Sequence, residues 1–172
     1  NNDTVSTYAH PTDNERFSFK AVMYKNQGGL VSDDFIPRLM SDSINQILQK
    51  KLQKQGIESE SHTFMMGANS SSETNPDISL EEYLQKYQPE YLSGDLVVKH
   101  QPDMTPELFE DALQTLYSAI GNRYYQVRVY VIFEDNYGEC SENFRKTFDV
   151  SEQWFNDYGV VNKMQLIIDN EG

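Results

Sequence analysis

Three histidines, one cysteine and a few acid pairs are the residues of this 172-residue chain that could do chemistry. His10, His62 and His100 stand in unrelated segments, and none takes part in an HExxH or comparable metal-ligand spacing. Cys140, in "YGEC", has no nucleophile signature around it, and a lone cysteine provides neither a disulfide nor a thiol cluster. The acid pairs Asp33–Asp34, Glu81–Glu82 and Glu134–Asp135 fall where helix starts and turns favour negative charge. "EDNYGE", Glu134 to Glu139, has the oxygen-rich look of a calcium loop but lacks its twelve-residue pattern and terminal glutamate. No GxSxG, P-loop or GxGxxG occurs, and "GANSSS" lacks the lysine of a phosphate loop. The expectation is a protein with no catalytic residue, no metal and no cofactor.

Charge narrows the partners. Twenty-seven acids against 14 bases give a net charge of −13, so the chain lacks the basic footprint that nucleic acid requires. That excess suits a cationic protein partner, although a solvated acidic surface also serves solubility alone. No run of about 18 apolar residues is present to span a membrane. The start "NNDTVSTYAH" carries no methionine and reads as what remains after an anchor, signal peptide or tag. Residues 1–14 are expected to be a polar tail or tether, and residues 15–172 a single α+β domain.

Several elements must position whatever the chain does. "RFSFKAVMYKN" alternates Phe17, Phe19, Ala21 and Met23 against Ser18, Lys20, Val22 and Tyr24, the period of a half-buried strand. Ser32 is expected to cap a helix carrying the stripe Ile36, Met40, Ile44, Ile47, Leu48 and Leu52, ending at Gly56. "ISLEEYLQKY" has a capping box at Ser79 and Glu82, with Ile78 and Tyr83 as its hydrophobic staple. "MTPELFEDALQTLYSAIG" places Pro106 at the start, Leu108, Ala112, Leu116 and Ile120 on one face, and Gly121 at the end. "IESESHTFMMG" and "GDLVVKH" read as strands. "YYQVRVYVIFED" is a strand expected to turn at "NYGE" into a second one, "CSENFRKTFDV". "SEQWFNDYG" is a turn or one helical turn, and "NKMQLIID" the last strand.

These strands each show one apolar side. Three one-sided helices on one face of a curved, mostly antiparallel sheet bury all the stripes at once. One core would then hold Phe19, Ile44, Leu116, Val129, Phe133, Phe148 and Leu166. The second face would stay free and carry Lys20, Tyr24, Arg128, Tyr130, Ile132, Glu134, Arg145, Thr147, Gln165 and Ile167. Tyrosine, arginine and isolated aliphatics among polar groups are what binding surfaces favour, and solvated strands display them too. Those ten residues are the expected partner-binding site.

A polar start, three helices and an antiparallel sheet with one free face in an acidic chain resemble the soluble part of the streptococcal TipC-type immunity proteins. The resemblance covers nearly the whole chain as element order and rests on no diagnostic motif. It implies a crescent-like fold whose sheet binds and inhibits a toxin delivered between cells by type VII secretion, one that degrades the cell-wall precursor lipid II. It also implies a position at the cell membrane facing the wall, held by an N-terminal anchor that this sequence lacks. The alternatives are an adaptor lipoprotein of a secretion or conjugation apparatus with an NTF2-like fold, and a small enzyme using an Asp or His in an internal cavity.

Overall fold

A computed structural model describes residues 3–15, 17–26, 28–68, 73–147 and 150–170. The fold is α+β, with two open sheets and helices of all lengths packed on them. A three-stranded antiparallel sheet orders β1 (Thr4–Ala9), β2 (Phe19–Tyr24) and β3 (Leu30–Asp33) side by side. The helix α1 (Phe35–Lys54) leads from it into a four-stranded sheet. That sheet runs in the order β4 (Ser59–Met66), β5 (Tyr91–Lys99), β6 (Tyr125–Ile132), β7 (Val160–Ile168). The β4–β5 and β6–β7 pairs are antiparallel and β5–β6 is parallel. A parallel neighbour needs a long crossover, and α3 (Glu107–Ala119) supplies it.

The expected tail is partly a strand. Thr4–Ala9 pairs along its whole length with β2, Val5 opposite Met23 and Thr7 opposite Ala21. Its burial is slight, so backbone pairing rather than apolar periodicity holds it, and a sequence reading had little to find. Ser32 lies in β3 and does not cap α1; instead Asp33 Oδ1 accepts the Phe35 N–H at 3.0 Å.

The three helices read from the sequence do share one face. Ile44, Leu48 and Leu52 of α1, Leu84 of α2 (Leu80–Tyr87), and Phe109, Ala112 and Leu116 of α3 pack on Leu92, Leu96, Val98, Tyr125, Val127, Val129 and Val131. The Ser79–Glu82 capping box forms as its residues predict, with the Glu82 N–H donating to Ser79 Oγ at 3.2 Å. Gly121 takes a φ of 69° after α3, a conformation that costs glycine little. Of the expected core, Ile44, Leu116 and Val129 are buried there and Leu166 packs against them. Phe19 is only partly buried and stacks edge-on against Phe35 at 5.1 Å, away from that core. Phe133 is 48% exposed, because it stands at the β6 end where the chain leaves the sheet. Phe148 lies outside the described residues.

The largest departure follows β6. Glu134–Lys146, expected as a hairpin turn and a strand, is a helix, α4. Its buried residues Tyr137, Cys140, Ser141 and Phe144 recur at i, i+3, i+4 and i+7, the spacing of a helix stripe. Glu134 and Asp135 occupy its first turn and Arg145 and Lys146 its last, the charge order the helix dipole favours. Its target is the second face of the sheet. There α4 and the short α5 (Glu152–Asn156) build another core with Val97, Tyr130 and Ile132. The face expected to be free is therefore half covered.

Candidate functional site

Backbone alternation assigns the second face. Glu60, His62 and Phe64 of β4 stand opposite Val97, Asp95 and Ser93 of β5. Those three in turn face Tyr130, Arg128 and Gln126 of β6, which pair with Lys163, Gln165 and Ile167 of β7. Two zones result, one under helices and one open.

In the covered zone Tyr130 stacks flat on Phe155, ring centroids 3.7 Å apart and planes 9° from parallel. His62 is buried beside Phe144 at 4.3 Å, and its Nε2 lies 2.6 Å from the Phe144 carbonyl oxygen. A carbonyl only accepts, so Nε2 carries the proton. Burial above all, with the nearby Arg38 charge adding to it, pulls the imidazole down to about 4, so His62 is neutral near pH 7. Arg145 of α4 reaches back to β4, its guanidinium 3.0 Å from Glu60 Oε2. These contacts fasten α4 to the sheet, and they serve structure.

The open zone is lined by Phe64, Ser93, Asp95, Gln126, Arg128 and Gln165 around a shallow depression of about 210 Å³. Its floor is an ion pair. Arg128 Nε and Nη2 donate to the two Asp95 oxygens at 2.7 and 3.0 Å, a bidentate fork. The Asp95 side chain is 2% exposed while Arg128 is 44% exposed, so the guanidinium roofs the acid and presents its own plane outward. Hydrogen bonding to Asp95 raises the Arg128 pKa and keeps the cation charged. Gly94 beside them has no room for a side chain, because a Cβ would meet Tyr125 Oη at 2.7 Å and the His62 carbonyl at 2.9 Å. The depression is open to water, and in it the Asp95 carboxylate and the Arg128 guanidinium satisfy each other.

The ten expected site residues divide. Arg128, Gln165 and Ile167 come together on the open zone, Ile167 being half exposed at its rim. Tyr130 and Ile132 are buried beneath α5 and α4, so no partner reaches them, contrary to the sequence reading. Glu134, Arg145 and Thr147 belong to α4 and its C-cap instead of a strand. Of these, Glu134 lies 3.5 Å from Lys99, and Thr147 Oγ1 donates to the Asn143 carbonyl. Lys20 and Tyr24 sit on β2 in the other sheet, both exposed and outside the depression. The sequence reading missed Asp95, Phe64, Ser93 and Gln126. Asp95 had left a signal, being the one acid in the run "GDLVVKH" and standing next to its apolar residues.

The fold and this surface define an α+β protein that presents half of a mixed sheet to its surroundings. The fold matches that of a DUF5037 family protein from Ruminococcus gnavus ATCC 29149, with a TM-score of 0.61 over 97% of this chain and 77% of that one. Identity is 12%, so the likeness is one of fold alone. No protein-family model matches the chain, and no curated protein is similar to it in sequence.

Proposed function

We propose that the chain is an inhibitor of the immunity type, which binds a secreted antibacterial toxin outside the membrane through the open half of the sheet. The observation that supports this is the open zone itself: a preformed surface centred on the roofed Asp95–Arg128 pair, with Phe64 and Ile167 as apolar contacts around it. A central arginine held rigid by its own carboxylate loses little entropy on binding, which is what interface anchors need. Inhibition by occlusion requires no catalytic group. The net charge of −13 suits a cationic toxin, whose encounter the acidic surface would accelerate at low salt. A toxin that degrades lipid II, delivered by type VII secretion, is the target that the resemblance in element order suggests.

The test is calorimetric titration of the toxin encoded beside this gene against wild type and Ser93→Arg. Ser93 lies in the floor of the depression, so a long side chain there fills it from within. Wild type should bind, and the variant should bind at least about tenfold more weakly, or about 1.4 kcal/mol, with an unchanged melting temperature. No binding by wild type would overturn the reading. Equal binding by both proteins would remove this surface from it.

A further inference from the structure

Where the chain enters β4 it runs along the floor of a cleft of about 500 Å³, a volume within the range of small-ligand sites. Two helices form its walls. β4 is an edge strand, with α1 packed on the first face of the sheet and α4 on the second, and both reach residues 57–60. From α1 come Gln46, Gln49 and Gln53, one stripe at i, i+3 and i+7. From α4 come Tyr137, Ser141 and Arg145, one stripe at i, i+4 and i+8. Glu60 ties the walls together. Its Oε1 accepts from Gln49 Nε2 at 3.1 Å and its Oε2 from Arg145 Nη2 at 3.0 Å, so the cleft is set before any ligand arrives.

Unmatched polar groups converge on this space from both walls. Tyr137 is 7% exposed, its ring buried under α4, yet its hydroxyl makes no hydrogen bond among the described residues. Burial above all, with the Glu60 and Glu58 charges adding to it, raises the pKa of the phenol, so it keeps a proton to donate. Both of those acids line the cleft, which puts the hydroxyl end of the ring there too. Across from it, the Gln53 amide and the Lys50 amine also have no partner among the described residues. The lining carries no net charge in a chain of −13, because Lys50 and Arg145 balance Glu58 and Glu60. Nothing in it selects an ion. Amide and hydroxyl groups each donate and accept, which is what a sugar hydroxyl offers in return. An extended peptide would need backbone partners from the floor. There the Ile57 N–H is already bonded to the Leu52 carbonyl and the Glu58 carbonyl to the Lys99 N–H, both at 3.0 Å. We propose that the cleft between α1 and α4 binds a neutral oligosaccharide, with the Tyr137 hydroxyl and the Gln53 amide among its hydrogen-bond partners.

The experiment is calorimetric titration of the full chain with two neutral trisaccharides, cellotriose and tri-N-acetylchitotriose, which needs no toxin and stands apart from the proposed function. At least one should bind, with a Kd of about 1 mM or tighter. Tyr137→Phe removes a single hydroxyl and should weaken that binding about threefold to tenfold, the range for one neutral hydrogen bond. Its melting temperature should match wild type, because the ring stays and the hydroxyl has no partner to lose. Ser93→Arg, which fills the separate depression on the open half of the sheet, should bind the sugar as wild type does. A wild type that binds neither trisaccharide would overturn the proposal, and binding of tetraalanine in their place would make the cleft a peptide groove instead. Equal binding by Tyr137→Phe, or lost binding in Ser93→Arg, would overturn it as well.

Discussion

Acid should loosen this fold through the buried His62. The imidazole is 5% exposed, and its pKa falls from the ordinary 6.5 to about 4, chiefly because burial disfavours the charged form. A group whose folded pKa is depressed in this way is neutral in the native state. Its contribution is therefore complete above the unfolded value near 6.5 and is lost progressively as pH falls toward 4. Below that both states bind the proton and the loss levels off. Linkage over that interval gives about 2 kcal/mol lost between pH 7 and pH 5, and about 3 kcal/mol at full protonation. Carboxylates with lowered values, Glu73 at about 2 and Glu82 also below its ordinary range, titrate beneath this window. Urea melts of wild type and His62→Gln at pH 7 and pH 5 isolate the effect, since glutamine keeps an amide donor for the Phe144 carbonyl and does not titrate. Wild type should lose about 2 kcal/mol more than the variant across that interval. Equal losses would refute the assignment of a buried neutral imidazole fastening α4 to β4.

Three further outcomes follow from the covered half of the sheet. Tyr130→Ala should cost about 3–5 kcal/mol in a denaturant melt, because it removes the ring stacked on Phe155 and leaves a cavity under α5. Tyr130→Phe should leave stability equal or slightly higher, since the buried hydroxyl finds no hydrogen-bond partner among the described residues. Cys140 is fully buried, and burial pushes its thiol up to about 12, so native protein should react with a thiol reagent far more slowly than urea-unfolded protein.

The residues themselves determined three helices and most of the strands. Stripes at 3.6 spacing in α1 and α3, the Ser79–Glu82 box of α2 and the alternation of Val127, Val129 and Val131 are local patterns. Each has one good structural solution, and the single helical layer on the first face follows from burying them together. The segment Glu134–Lys146 had two solutions. "DNYGE" offers a turn, and Gly138 costs a helix about 1 kcal/mol relative to alanine. Against that stood the helical recurrence of Tyr137, Cys140, Ser141 and Phe144, which gains nothing until an apolar surface lies beneath it. Val97, Tyr130 and Ile132 supply that surface, and they form it only once β5 and β6 lie side by side. The same packing decided the site. Sequence placed Arg128, Tyr130 and Ile132 on one face with equal standing, and it was right about the face. Which of them meets solvent depends on where a thirteen-residue helix comes to rest, with Asp95 drawn under Arg128 from the neighbouring strand. Contacts of that separation are set by the register of distant segments, and no local spacing encodes them.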